Sequence, residues 1–108
     1  MRVLSTLILA AAFVAAQNAT TCHDGLYIIV ARGTNEDPGT GLFGDIADEL
    51  ASRVPGSEVL GLDYPASLTD PLYIRSVSEG GEAMREAVEG YHDECPDGQI
   101  VVLGYSQV

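Results

Sequence analysis

A serine close to the carboxyl terminus has the surroundings of a catalytic nucleophile. The segment "QIVVLGYSQV" places Ser106 after an apolar run of strand length, with Gly104 two positions before it. In enzymes that attack carboxylic esters, such a serine sits on a sharp turn at a strand end, and the next backbone N–H, here that of Gln107, helps to bind the oxyanion. The full pattern is G-x-S-x-G. Its last position is Val108 instead of glycine, so an ordinary serine at a strand end is the alternative interpretation.

A nucleophilic serine needs a base that takes its proton, and neither histidine of the chain is well placed for this. His23 precedes the first predicted strand, and His92 lies near the end of a predicted helix that flanks the sheet. Ser106 is expected at the carboxyl edge of the sheet, where ligands of such folds bind. We therefore interpret both histidines as surface residues.

Strand-like and helix-like segments alternate along the chain. Three apolar runs have strand length: "GLYIIVAR" (25–32), "EVLGLDY" (58–64) and "QIVVLGYS" (99–106). An apolar stripe at helical spacing lies in each interval between them. Alternation of this kind predicts an α/β fold with right-handed crossovers and a parallel sheet.

The two helical stripes predict which side chains face the core. The first comprises Leu42, Ile46, Leu50 and Val54, and the second comprises Val77, Gly81, Met84, Val88 and Tyr91. Ser76 and Glu79 have the spacing of a capping box, which predicts that the second helix begins near Ser76. We assign no ligand role to either stripe.

The loop after the first strand contains a dinucleotide-binding pattern that does not fit its context. The letters "GTGLFG" (39–44) match G-x-G-x-x-G, and Asp63 follows at a suitable distance. The first glycine should close the strand directly, whereas several residues separate it from Arg32, and two of them, Glu36 and Asp37, would repel a pyrophosphate. A phosphate-binding P-loop is excluded as well, because that motif requires a lysine.

The amino terminus has the features of a secretory signal peptide. An arginine and an apolar run precede small residues, which predicts cleavage after Ala16 and a mature domain over 17–108. The apolar run is too short for a membrane anchor, since a helical span needs about 20 residues. "NAT" makes Asn18 a candidate for N-glycosylation. We therefore expect a secreted, extracellular protein without a membrane partner.

Charge and cysteine content agree with secretion and exclude one class of partner. Sixteen acidic residues face five basic ones, for a net charge of -11. Nucleic acid is therefore not an expected partner, because phosphate neutralisation needs lysine and arginine. Cys22 and Cys95 would pass through an oxidising compartment, which favours an intramolecular disulfide. Two free thiols or an intermolecular bond are the alternatives.

Several spaced motifs resemble those of the cutinase family, which includes acetylxylan esterases. They are "ARGTNE", "DYPAS", "SVSEGGEAM" and "CPDGQIVVLGYSQ", and the resemblance runs from about Cys22 to Gln107. It implies the amino-terminal part of a compact α/β-hydrolase fold, with the three strands in the order 2-1-3. It also implies hydrolysis of esters, such as cutin or acetylated xylan, by a Ser-His-Asp triad without metal or cofactor. It also implies that Ser106 is the nucleophile and that Thr34 and Gln107 supply the oxyanion contacts.

The resemblance also pairs Cys22 with Cys95 and implies a monomer when the domain is complete. In the family, the acid and the base of the triad follow the serine, which here would place both beyond Val108. We therefore expect the 108 residues to be the amino-terminal part of such a domain and inactive alone. A Val in place of the expected Gly would also result from an unspliced intron after Gln107. A non-catalytic secreted binding or decoy protein, built on half a hydrolase fold, is the alternative.

Overall fold

The apolar run of the first predicted strand forms the centre of a three-stranded parallel sheet. The computed structural model describes residues 21–107, so the predicted signal peptide, Asn18 and Val108 lie outside the described residues. The strands are β1 (Leu26–Ala31), β2 (Glu58–Gly61) and β3 (Gln99–Gly104). Their order is β2-β1-β3, and both neighbours pair with β1 in parallel. The predicted fold class and strand order are confirmed.

The composition of β1 explains its central position. Ile28, Ile29 and Val30 have no exposed surface. Such a continuous apolar run is typical of a parallel strand that is covered on both faces, since its side chains alternate between the two. Ile29 pairs with Leu60 of β2 and with Val102 of β3. Burial of β1 from both sides therefore fixes the register of the whole sheet.

One helix covers each face of the sheet. A short 3₁₀ turn (Gly41–Phe43) leads into α1 (Gly44–Arg53), and α2 (Tyr73–Glu94) connects β2 to β3. Ile28 and Val30 form a cluster with residues of α1, whereas Ile29 and Ala31 belong to the cluster that packs against α2. The alternating side chains of one strand thus hold the two helices on opposite sides.

The face that α1 turns towards the sheet agrees with the predicted one only in part. Leu50 packs in the core cluster with the fully buried Ala47, while Leu42 and Ile46 are 59% and 53% exposed. Leu42 precedes the helix, which begins only at Gly44, and Val54 follows its last residue. The predicted apolar stripe therefore extends beyond both ends of the helix. The side chain that packs directly on β1 is the small one of Ala47.

Met84, Val88 and Tyr91 of α2 face the core as predicted, whereas the start of the helix and the position of its core-facing glycine differ from the prediction. The helix begins at Tyr73, so Ser76 lies inside it and makes no capping bond to the helix. Glu79 instead pairs with Arg75 at 3.3 Å on the surface. The glycine that faces the core is Gly80, not Gly81. A Cβ at Gly80 would lie 2.6 Å from Cδ2 of Tyr64, so the missing side chain lets the tyrosine ring pack on the helix.

The two adjacent glycines of α2 are expected to respond in opposite ways to alanine. Gly80→Ala should lower the free energy of unfolding by about 1–3 kcal/mol, because its methyl group overpacks against the Tyr64 ring. Gly81→Ala should raise it by about 0.5–1 kcal/mol, because a Cβ there meets nothing within 4 Å and alanine favours helix. Denaturant unfolding of the two variants measures the difference. Equal responses would contradict the packing described for Gly80.

A disulfide joins the amino end of the sheet to the end of α2. Cys22 precedes β1 and Cys95 follows α2, and the two are bonded with their Cα atoms 5.7 Å apart. The predicted intramolecular pairing is therefore confirmed. Nearby, the rings of Tyr27 and Tyr91 stack with their centroids 4.2 Å apart. Within residues 21–107, neither helix combines the length and the apolar character that a membrane crossing requires.

Candidate active site

The loops that follow the three strands converge at the carboxyl edge of the sheet, and each contains a strained residue. Among residues 21–107, the non-glycine residues with positive φ are Asn35 after β1, Ala66 after β2 and Ser106 after β3. The N–H of Asn35 donates to the carbonyl of Ala66 at 2.6 Å, which ties the first two loops together. Left-handed conformations cost free energy in residues with a side chain, and they cluster at functional sites. This edge is therefore the first candidate for a site.

Ser106 occupies a tight turn immediately after β3. Its φ is +71°, and the N–H of Gln107 donates to the carbonyl of Tyr105 at 2.8 Å. A hydrogen bond across a single residue closes a three-residue turn, a rare and strained form when φ is positive. The Ser106 side chain is exposed. The turn thus presents the hydroxyl group to solvent, as a nucleophile at a strand end requires.

A carboxylate inside the loop after β1 holds that loop in shape. Oε1 of Glu36 accepts from the N–H of Gly33 at 2.6 Å, and Oε2 accepts from the N–H of Leu42 at 2.7 Å. One side chain thus bridges the start and the end of the loop that carries Thr34. Glu36 is half-buried, so its bonds to the two backbone groups are partly shielded from water.

Arg32 lies below this loop and connects it to the loop after β2. The residue is only 7% exposed, and its guanidinium donates to the carbonyl groups of Tyr64, at 2.7 Å, and of Glu36, at 3.0 Å. The guanidinium carbon also lies 5.3 Å from the centroid of the Tyr64 ring. In return, the Tyr64 hydroxyl donates to the carbonyl of Arg32. Burial raises the pKa of that hydroxyl above its ordinary value, so it remains a donor.

The side chain of Gln107 joins all three loops. Its Nε2 donates to Oγ1 of Thr34 at 3.1 Å and to the carbonyl of Ser67 at 2.9 Å. Its Oε1 accepts from the hydroxyl of Ser76 at 2.5 Å. The residue is 3% exposed, so this amide is buried with both of its ends in hydrogen bonds. Thr34 is therefore tethered to the residue that follows Ser106.

Close backbone contact reinforces this tether. A Cβ at Gly33 would lie 2.8 Å from Cδ2 of Tyr105 and 3.0 Å from its carbonyl oxygen. The tyrosine ring also packs against Phe43 with centroids 5.4 Å apart. Glycine at position 33 thus permits the loop after β1 to touch the turn that carries Ser106, and the exposed hydroxyl of Ser106 and the Thr34 loop share one surface.

Both histidines lie at the opposite edge of the sheet. The backbone N–H of His23 donates to the hydroxyl of Tyr91 at 3.0 Å, and the His23 ring stacks near Tyr27 at the start of β1. His92 is exposed in the last turn of α2. A six-residue strand spans about 20 Å, which separates both imidazoles from Ser106. Among residues 21–107, no histidine can therefore take the serine proton.

Comparison with known proteins agrees with the motifs and the sheet. The family model described as Cutinase matches residues 21–108. The chain belongs to the cutinase family.

Two curated relatives of this cutinase-family chain carry different names. It is 33% identical over 87 residues to Acetylxylan esterase 2 of Talaromyces purpureogenus, an alignment that covers 76% of this chain and 37% of the relative. It is also 33% identical over 87 residues to Cutinase 11 of Verticillium dahliae, covering 76% of this chain and 30% of that relative. The chain thus spans about a third of the length of these relatives.

Solved structures of acetylxylan esterases share the fold. A structure of acetylxylan esterase at 0.90 Å superposes with a TM-score of 0.76 at 32% identity, covering 81% of this chain and 44% of the other. The catalytic core domain of acetyl xylan esterase from Trichoderma reesei gives a TM-score of 0.75 at 29% identity, with the same coverage. The three-stranded sheet of this cutinase-family chain is therefore common to them.

The structure brings three predicted site residues together and adds others. Ser106, Gln107 and Thr34 lie at the carboxyl edge, whereas Cys22 and Cys95 lie at the amino edge. The N–H of Gln107, predicted as an oxyanion donor, bonds the Tyr105 carbonyl in this conformation. Sequence reasoning missed the side chains that support the site, which are those of Arg32, Glu36, Tyr64, Ser76 and Gln107. The 76/80 spacing of two small residues on one helix face was the available signal for close packing near Ser76.

Proposed function

We propose that this cutinase-family chain is the nucleophile-bearing part of a secreted serine hydrolase that cleaves carboxylic esters. The proposal depends chiefly on one observation: exposed Ser106, on a strained turn at the carboxyl end of β3, adjoins a loop whose Thr34 is tethered to Gln107. A nucleophile and an adjoining oxyanion donor are the two parts of an acyl-transfer site that the chain itself can supply.

In the proposed reaction, Oγ of Ser106 attacks the ester carbonyl carbon and gives its proton to a base. The carbonyl oxygen becomes an oxyanion, which accepts a hydrogen bond from the Thr34 hydroxyl. The alcohol leaves with the proton from the base, and water then releases the acyl group by the same route. We place the base and the acid that orients it in sequence beyond Val108.

The N–H of Gln107 is the second proposed oxyanion donor, and it requires a local change. In the described conformation this group donates to Tyr105. In a nucleophile elbow, a helix follows the serine directly and the N–H points into the site. A helix that continues from Gln107 would release this N–H from the three-residue turn, so the donor would become available in a longer product.

The proposed substrates are esters of cutin or acetylated xylan, in keeping with the names of the relatives. The proposed location is extracellular, and the disulfide between Cys22 and Cys95 supports this because such bonds persist in oxidising compartments. The chemistry as proposed uses side chains and backbone groups alone, without metal or cofactor.

Expression of two products tests the proposal. One is the 108-residue polypeptide, and the other is the product of the mature transcript, sequenced through the codon for Val108. We expect the 108-residue polypeptide to hydrolyse p-nitrophenyl acetate at close to the uncatalysed rate, because no base reaches Ser106. We expect a transcript that continues into an Asp and a His to encode an active esterase, which is then assayed on cutin and on acetylated xylan.

Two outcomes would contradict the proposal, the first as a whole and the second in part. A transcript that ends after Val108, with a product that does not hydrolyse any of these esters, would favour the non-catalytic binding or decoy role. Turnover by the 108-residue polypeptide that depends on Ser106 would keep Ser106 as the nucleophile but overturn the proposed position of the base beyond Val108, and His92 would be the first residue to replace.

A further inference from the structure

A closed ring of hydrogen bonds surrounds the hydroxyl of Ser76, a residue of α2 that has no exposed surface. The N–H of Ser67 donates to Oγ of Ser76 at 2.9 Å, and that hydroxyl donates to Oε1 of Gln107 at 2.5 Å. Nε2 of Gln107 donates back to the carbonyl of Ser67 at 2.9 Å. The ring therefore links the loop after β2, the helix α2 and the turn after β3.

The donors in this ring have a fixed direction. The Ser67 N–H can only donate, so Oγ of Ser76 must accept from it. The Ser67 carbonyl can only accept, so it faces the NH₂ end of the Gln107 amide, and the single hydrogen of the Ser76 hydroxyl is donated to Oε1 at the other end. With Oε1 held in this way, the NH₂ end of the amide faces both the Ser67 carbonyl and Oγ1 of Thr34.

This direction decides what the Thr34 hydroxyl can do. A threonine hydroxyl has one hydrogen to donate, and its oxygen accepts from Gln107 Nε2. Its own hydrogen is therefore free for another acceptor. A reversed amide would present Oε1 to Thr34 and would consume that hydrogen.

We propose that Ser76 is a positioning residue of the esterase site, which orients the Gln107 amide so that the Thr34 hydroxyl remains a donor to the oxyanion. The inference rests on the proposed function, because it assigns Thr34 the role of a donor. It goes beyond that function because Ser76, a helix residue that touches no substrate, would determine whether the Thr34 hydroxyl is free to donate.

Removal of the Ser76 hydroxyl leaves one buried and one partly buried group without a partner. In Ser76→Ala, Oε1 of Gln107 loses its donor and the N–H of Ser67 loses its acceptor. Only the Ser67 carbonyl then holds the amide in this direction, so the amide can reorient for part of the time and accept from the Thr34 hydroxyl. Ser76→Thr keeps the hydroxyl, and Ser78→Ala removes an exposed hydroxyl from the same helix.

Kinetics of the active product test the role in catalysis. We expect Ser76→Ala to lower kcat about tenfold to a hundredfold, less than the 10²–10³-fold typical of losing an oxyanion donor itself, with little change in KM. Ser78→Ala should match the unaltered enzyme, and Ser76→Thr should restore most of kcat. In a Thr34→Ala background, Ser76→Ala should have no further effect, because the hydroxyl through which it acts is absent.

Amide hydrogen exchange on the 108-residue polypeptide tests the ring without any need for activity. We expect Ser76→Ala to accelerate exchange at the Ser67 N–H by tenfold or more, while the Gly25 N–H, which donates to the Gly56 carbonyl at the opposite edge, is unaffected. An unprotected Ser67 N–H in the unaltered chain would overturn the inference, whether or not the esterase proposal holds.

The two experiments distinguish the two proposals. In one outcome, Ser67 is protected from exchange, Ser76→Ala removes this protection, and activity does not depend on Ser106. This outcome would overturn the proposed function and with it the positioning role of Ser76. Activity that depends on Ser106, combined with equal and additive losses for Ser76→Ala in both backgrounds, would leave the esterase and overturn the positioning role.

Discussion

Replacing Ser106 by alanine is expected to abolish ester hydrolysis in an active product that contains this chain. The loss in kcat should be on the order of 10⁶-fold, as found when the nucleophile of a serine hydrolase is removed, because the oxyanion donors cannot replace a covalent intermediate. In the 108-residue polypeptide the same change should leave the rate at the background level. Hydrolysis of p-nitrophenyl acetate, followed for both lengths of chain, measures the two effects.

A matched control separates chemistry from folding in this experiment. Ser78→Ala removes an exposed hydroxyl from α2 and should leave kcat unchanged. Ser106→Ala should also not reduce stability, because alanine costs no more than serine at positive φ and the side chain is exposed. Residual turnover above about a hundredth of the original in Ser106→Ala would identify another nucleophile and would refute the assignment of Ser106.

The sheet was predictable because its signal is local. β1 is an unbroken apolar run, and Ile28 and Ile29 have no exposed surface, as such a run requires. Right-handed crossovers then leave few arrangements for the two remaining strands. The order 2-1-3, which the resemblance to the cutinase family implied, is one of these arrangements, and the structure confirms it.

The buried face of each helix was less predictable than the sheet, because it depends on the residues at which the helix begins and ends. Leu42 and Val54 have the correct spacing with Ile46, yet both lie outside α1. In α2, the choice between Gly80 and Gly81 depends on the position of the Tyr64 ring, which belongs to another element. Periodicity identifies a helix, but the side chains across the interface select the face that is buried.

The supporting side chains of the site depend on contacts between residues far apart in the chain. Gln107 meets Thr34 across 73 positions and Ser76 across 31. The motif predicted a role for the backbone of Gln107, whereas the structure shows the bonds of its side chain. The spacing of Ser76 and Glu79 is a local pattern, and it predicted a helix cap. The actual partner of Ser76 is the buried amide of Gln107, which lies in another loop and leaves no local pattern in the sequence.

Replacing both cysteines by serine is expected to cause the largest loss of stability of any change at the edge opposite Ser106. The Cys22–Cys95 bond joins residues 73 positions apart, and a loop of this length corresponds to about 4 kcal/mol in the chain-entropy model, with observed losses of about 2–5 kcal/mol. A small domain has only about 5–15 kcal/mol in total. The thermal midpoint, followed by circular dichroism, should therefore fall by about 10 °C or more.

Reduction provides the matched control for the disulfide prediction. A thiol reductant should lower the midpoint of the unaltered protein to that of the Cys22→Ser, Cys95→Ser variant, and it should have no effect on the variant itself. The bond constrains chiefly the unfolded chain, so its loss should not open the opposite edge locally. Exchange of the Ser67 N–H at that edge should therefore accelerate no more than the lower free energy of global unfolding accounts for. A midpoint within about 2 °C of the original, a shift worth well under 1 kcal/mol, would show that packing of β1 against the two helices holds this edge without the bond.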